Sequence, residues 1–128
     1  MNSRLIYVEL KTGYNDDGPA WIGRAFFSKT GKTTYFNGLV FLKGERHCGG
    51  NHLEYLTGDA YWISGVKKDG KDRHWAGGGK IQIDKSVLTE YLKIAELSKL
   101  PSNIFEIVEL NNHPPIKQFN EIENKKYN

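Results

Sequence analysis

Short β-like runs separated by glycine-centred turn signals fill the first two thirds of the chain, and no other feature of the sequence constrains the fold as tightly. The signals are Asp16-Asp17-Gly18-Pro19, Lys29-Thr30-Gly31-Lys32, Asn37-Gly38, Gly49-Gly50-Asn51, Thr57-Gly58-Asp59 and Asp69-Gly70. Each contains a residue that tolerates positive φ, as tight reversals of a twisted ribbon require. The intervening segments, Leu5–Leu10, Ala20–Phe27, Thr33–Phe36, Leu39–Leu42, His52–Leu56, Ala60–Val66 and Lys80–Ile83, are rich in β-branched and aromatic residues and read as antiparallel strands. Alternation puts Ile6, Val8 and Leu10 on one face of the first strand, and Trp21, Gly23, Ala25 and Phe27 on one face of the second. Those faces are expected in the core. So many short strands would leave open edges in a flat sheet, so the meander is expected to curl into a small barrel or a bent sheet. Asn37-Gly38 fits either a hairpin or a bulge.

The pattern changes at Asp84, a good helix N-cap, after which Leu88, Tyr91, Leu92 and Ala95 form an apolar stripe that ends before Pro101. A helix over about 85–98, packed on the sheet, is predicted. The run Ile104–Leu110 is too short for periodicity to separate helix from strand, although its β-branched content leans to strand. The segment 101–128 reads as partly irregular, with Pro114-Pro115 interrupting it and a short helical turn near Phe119–Asn124. The fold class is therefore mainly β (α+β): one domain spanning 1–128, with a β core over about 4–84 and one C-terminal helix.

A chain of 128 residues is long enough to bury a core without staples. The longest apolar runs, such as Leu39-Val40-Phe41-Leu42, fall far short of the roughly 20 residues that span a bilayer, and no secretory signal is visible, so a cytoplasmic location without membrane contact is expected. The single cysteine, Cys48, agrees with a reducing compartment. Net charge is +3, with twelve Lys/Arg against nine Asp/Glu in residues 1–84 and six of each after them. That excess permits an anionic ligand but is small for a committed nucleic-acid binder, so nucleic acid is a weakly supported partner. A protein partner and a homo-oligomer built on exposed aromatics also stay open.

The segment Tyr61–Lys80 concentrates two of three tryptophans, five Lys/Arg, one histidine and five glycines. Asp69-Gly70 makes it a hairpin tip, which gathers Lys68, Arg73, His74 and Trp75 beside the run Gly77-Gly78-Gly79, with Trp21 and Tyr61 as expected neighbours. Arg73 could clamp a carboxylate or phosphate, His74 could move a proton near neutral pH, and the amide of Gly78 could approach an anion closely. Lys68, Arg73, His74, Trp75 and Gly78 are accordingly the candidate ligand-binding residues. The same residues admit a purely structural role: a solvated lysine tip, packed tryptophans, and glycines that let strands approach.

Formal motifs fail. The P-loop pattern would need glycine where His74 stands and Ser or Thr where Ile81 stands, and no G-x-G-x-x-G joins a strand to a helix. His47, Cys48, His52 and His74 lack the paired ligand spacing of a zinc site, and no serine or cysteine nucleophile motif is present. No metal, cofactor or catalytic residue is assigned. An acid–base set remains conceivable: His52 and Glu54 share a strand face, and His74 with Arg73 opposite them would give a base, an acid and a phosphate clamp. A phosphodiester- or nucleotide-processing enzyme using His74 and Arg73 is therefore the alternative to a non-enzymatic module.

The successions Tyr7-Val8-Glu9-Leu10-Lys11-Thr12-Gly13-Tyr14, Gly18-Pro19-Ala20-Trp21-Ile22-Gly23, Tyr61-Trp62-Ile63-Ser64-Gly65-Val66-Lys67-Lys68 and Asp72-Arg73-His74-Trp75-Ala76-Gly77 resemble a family of small uncharacterised bacterial proteins. Some of its members carry the label 1-deoxy-D-xylulose-5-phosphate synthase. Such a synthase is a large thiamine-diphosphate enzyme, and this chain has neither its size nor a diphosphate-and-metal motif. The resemblance implies a bacterial cytoplasmic protein and brings no functional residue with it. The expectation from sequence is a small ligand-binding or protein-interaction module.

Overall fold

The structure, a computed structural model, describes residues 2–11, 18–47, 49–73 and 79–113. Its strands are β1 (Asn2–Leu10), β2 (Ala20–Phe27), β3 (Thr33–Phe36), β4 (Leu39–His47), β5 (Gly50–Glu54), β6 (Ala60–Gly65), β7 (Ile81–Asp84) and β8 (Phe105–Val108). The first six form a closed antiparallel barrel: hydrogen bonding runs β1-β6-β5-β4-β3-β2, and β1 pairs again with β2 to complete the circuit. Closure removes the edges that an open meander would expose. Asn37-Gly38 is a hairpin turn, with both residues at positive φ (50° and 76°), the conformation that matches the right-handed twist of β3 and β4.

The last two strands depart from the antiparallel expectation. β7 lies parallel to β2 along its first three residues, from the Ala20–Ile81 pair to the Ile22–Ile83 pair, and β8 lies parallel to β7. β3 pairs with β2 only at Phe26 and Phe27, so the other end of that edge is free to accept β7. The run 104–110 thus contains a strand, as its β-branched content suggested.

Both faces of β1 and β2 are buried. Inside the barrel Ile6, Val8, Ala25, Phe36, Phe41, Tyr61 and Ile63 pack with Leu10, Trp21 and Phe27, which puts the two predicted alternating faces in the core. Gly23 belongs to that face because a Cβ there would lie 2.9 Å from the Phe36 ring. Outside the barrel Leu5, Tyr7, Ala20 and Ile22 meet Ile81, Ile83, Phe105 and the helical segment. Burial of side chains this large contributes about 1.5–3 kcal/mol each.

The helix is shorter than the sequence suggested: a 3-10 turn over Lys85–Val87 leads into α1 (Leu88–Ile94). Val87, Tyr91 and Ala95 carry its buried stripe. Asp84 caps it as expected, its carboxylate accepting from Ser86 N and Oγ. The stop comes early because Glu96 adopts φ 56°, which lets Leu97 N bond to Leu92 O and Glu96 N to Lys93 O in a Schellman closure. Among the described residues no helix is long and apolar enough to cross a membrane.

Candidate functional site

Two polar regions stand out, one on the helix-covered side of the barrel and one at a barrel mouth. On the covered side, Tyr7, Glu9 and Lys11 alternate along the outer face of β1 and its end. Glu9 is 1% exposed, and its carboxylate takes the Tyr7 phenol at 2.5 Å and Lys11 Nζ at 2.7 Å, with the Arg73 guanidinium at 3.8 Å. Burial, and then the Glu9 carboxylate to which it donates, push the Tyr7 phenol well above its ordinary range. Nearby, Asp72 accepts from Lys67 N at 2.6 Å and from the Tyr91 hydroxyl at 3.1 Å, tying the turn after β6 to α1. Burial raises the Asp72 pKa despite those two donors.

The sequence-predicted site divides across this region. Arg73 is held by Glu9 and donates to Gly18 O at 3.0 Å and Lys80 O at 3.5 Å, so its guanidinium ties β1, the start of β2 and the start of β7 together. Lys68 is exposed on the turn. His74, Trp75 and Gly78 lie outside the described residues. Trp21 and Tyr61, the expected neighbours, point to the other side of the sheet: Tyr61 sits in the barrel interior, its ring 4.8 Å from that of Phe41 and 6.5 Å from that of Trp21. Glu54 shares the buried face of β5 with His52, and its carboxylate accepts from Leu56 N and Thr57 N and so fixes the β5–β6 turn, while His74, the third member of the expected acid–base set, lies outside the described residues.

His52 belongs instead to the second region. At the mouth where β1, β3 and β5 begin and β2, β4 and β6 end, an open basin of about 570 Å³ is lined by Arg4, Phe27, Lys29, Thr34, Lys43, Asn51 and His52 among others. The register explains the gathering: Asn2 and Thr34 flank Phe27 on either side, Arg4 pairs with Ala25, and Lys43 faces His52. Three cations therefore converge, and among the described residues the lining contains no carboxylate. Arg4 lies over the Phe27 ring at 4.7 Å. Thr34 is 1% exposed, and its Oγ1 is buried without a hydrogen-bond partner.

The imidazole is held from behind. Asn51 donates Nδ2 to Ile63 O at 2.9 Å and accepts Ile63 N on Oδ1 at 2.8 Å, so its side chain continues the ladder along β6. The neighbouring Gly50 is pressed onto β6, where a Cβ would lie 2.6 Å from Tyr61 O. Residues 50 and 51, read from sequence as a turn, thus act as strand. His52 Nδ1 lies 2.9 Å from the same Asn51 Oδ1. Burial, and then the positive charge of Lys43, lower the His52 pKa from 6.5 to about 4, so the ring is neutral at pH 7.

Sequence reasoning singled out His52 but passed over Arg4, Lys29, Thr34, Lys43 and Asn51. The one local signal was the strand alternation that puts Lys43 and Phe41 on one face of β4; the convergence itself depends on barrel register. Among the described residues no three His, Cys, Asp or Glu side chains come together as a metal site would need. Compared with models of known protein families, with curated proteins and with solved structures, the chain matches none.

Proposed function

We propose that this protein is a small binding module that takes an anionic ligand in the basin at the barrel mouth. The observation that carries the reading is the convergence of Arg4, Lys29 and Lys43 on one concavity whose lining holds no carboxylate among the described residues. Like charges gathered without counter-charge raise the free energy of the empty site, and a bound anion relieves that repulsion. The cations on the covered side contrast with them, since Lys11 and Arg73 both meet Glu9. The basin also lies within the size range of small-ligand sites, roughly 300–1,000 Å³. A cytoplasmic bacterial setting, implied by the family resemblance and consistent with a single cysteine, belongs to the same reading.

The test is a thermal-shift titration with inorganic phosphate and sulfate at low ionic strength, on the wild type and on a Lys29→Ala/Lys43→Ala variant. Phosphate at about 100 times its Kd stabilises the native state by roughly 2.7 kcal/mol, a shift of several degrees in a domain of this size. The expected outcome is a rise in the wild-type melting temperature that the double variant loses. Equal shifts in both proteins, or none in either, overturn the reading.

A further inference from the structure

We infer that the basin recognises a phosphomonoester bearing a hydroxyl near its phosphate, as in a phosphorylated polyol or sugar, with the cations on the phosphate and His52 Nε2 accepting a hydrogen bond from the hydroxyl. This rests on the anion-binding reading of the same basin and names the ligand class.

The hydrogen-bond network fixes the chemistry of His52. Both polar atoms of the Asn51 amide are committed to the Ile63 backbone, nitrogen to the carbonyl and oxygen to the N–H, so the amide cannot be turned over. The atom beside His52 Nδ1 is therefore Asn51 Oδ1, which only accepts, and Nδ1 must carry the proton it shares across 2.9 Å. A neutral imidazole protonated on Nδ1 presents a lone pair on Nε2. Asn51 is thus a positioning residue: it selects the tautomer and leaves the other ring nitrogen as an acceptor.

An acceptor among cations requires a ligand of two parts. A phosphomonoester carries about −1.5 to −2 charge at pH 7, which matches three cations better than a monoanionic carboxylate does. Its phosphate oxygens are acceptors, so they cannot serve Nε2. A hydroxyl on the same molecule can, and so the basin asks for both groups together. Thr34 Oγ1, buried and without a partner, supplies a further hydroxyl that can donate to a phosphate oxygen or accept from a ligand hydroxyl. Nucleobases are disfavoured because Phe27, the one Phe, Tyr or Trp among the described residues of the lining, already has Arg4 over its ring.

The experiment is calorimetric titration of the full chain with methyl phosphate, glycerol 3-phosphate, glucose 6-phosphate and a short single-stranded oligonucleotide. Methyl phosphate carries the charge without the hydroxyl. At least one hydroxylated phosphomonoester should bind about tenfold more tightly than methyl phosphate, the upper end of the net worth of one hydrogen bond. His52→Leu should bring the two within about twofold, with methyl phosphate itself little changed. Because His52→Leu could disturb the fold, the wild type is also read by long-range proton–nitrogen NMR. It should show the Nδ1–H tautomer at pH 7, with the Nε2 resonance moving on addition of the hydroxylated ligand and staying in place with methyl phosphate. Equal affinity for all three phosphomonoesters, an Nε2–H tautomer, or binding of the oligonucleotide alone overturns the inference. Equal phosphomonoester affinities lost together in Lys43→Ala would leave the anion site standing; no binding of any of them removes both.

Discussion

The covered side of the barrel and its open mouth both gather charge, and they treat it in opposite ways. On the covered side three carboxylates are nearly sealed from solvent, Glu9 at 1%, Asp84 at 2% and Asp72 at 7% exposed, and each is surrounded by donors. Glu9 has Tyr7, Lys11 and Arg73; Asp72 has Lys67 N and the Tyr91 hydroxyl; Asp84 has Ser86, Leu110 N and Asn112 Nδ2. Buried charge is tolerated only when matched in this way, and what the matched groups accomplish is to fasten segments distant in sequence. At the mouth, Arg4, Lys29 and Lys43 surround a neutral histidine and a partnerless hydroxyl. Matched polar groups hold the fold together, whereas unmatched ones at a concave surface are what a ligand completes.

Removing a matched partner should therefore cost most. Glu9→Ala removes the buried carboxylate that the Tyr7 phenol, Lys11 and Arg73 share, and a loss of about 3–5 kcal/mol is expected in urea unfolding. A loss below about 1 kcal/mol would show that the network is dispensable and erase the distinction between the two regions. Asp84→Asn should cost less, about 1–2 kcal/mol, since it weakens one cap and the contacts to Asn112 and Leu110. Burial by itself would raise the Asp84 pKa, but the bonds from Ser86, Asn112 and Leu110 outweigh it and hold the carboxyl below its ordinary range. The folded chain thus keeps this carboxylate ionised at lower pH than the unfolded chain does. Its stabilisation is complete above the unfolded value of about 3.9 and is lost as the pH falls through the folded value. Urea midpoints of wild type and Asp84→Asn should accordingly differ at pH 7 and converge as the pH falls below the unfolded value; a gap that stays constant would place the Asp84 contribution outside its charge.

How much of this the sequence announced follows from how local each determinant is. Asn37-Gly38 was legible because the positive φ that a twisted hairpin needs is a property of those two residues. The inward faces of β1 and β2 were legible through two-residue alternation, and the cap at Asp84 through its own side chain. The early helix stop was not, because Glu96 in the left-handed region carries none of the signal a glycine would. Parallel pairing of β7 with β2 joins segments about 60 residues apart, and nothing in either one specifies the other. The mouth basin was hidden for the same reason. Arg4, Lys29, Lys43 and His52 meet only once the barrel closes, and Asn51, which looks like a turn residue, spends its side chain on the β6 backbone. The dense segment Tyr61–Lys80 drew attention to Arg73 as a ligand clamp, yet Arg73 is fastened to Glu9, Gly18 and Lys80.

The smallest stability effect is the one that most sharpens the contrast. Lys43 is exposed and meets no carboxylate among the described residues, so Lys43→Ala should change the unfolding free energy by no more than about 0.5 kcal/mol, in either direction. Its electrostatic effect should still be visible at His52. Burial is the larger cause of that histidine's lowered pKa and the Lys43 charge the second, so removing the charge should move the His52 titration up from about 4 while leaving it below the ordinary 6.5. NMR titration of the His52 Cε1 proton in both proteins measures this directly. A variant that lost stability on the scale of Glu9→Ala would mean that Lys43 belongs to the framework after all. An unchanged His52 titration would mean that the cations do not act on the basin as a group, and the mouth would lose the unmatched charge that sets it apart from the covered side.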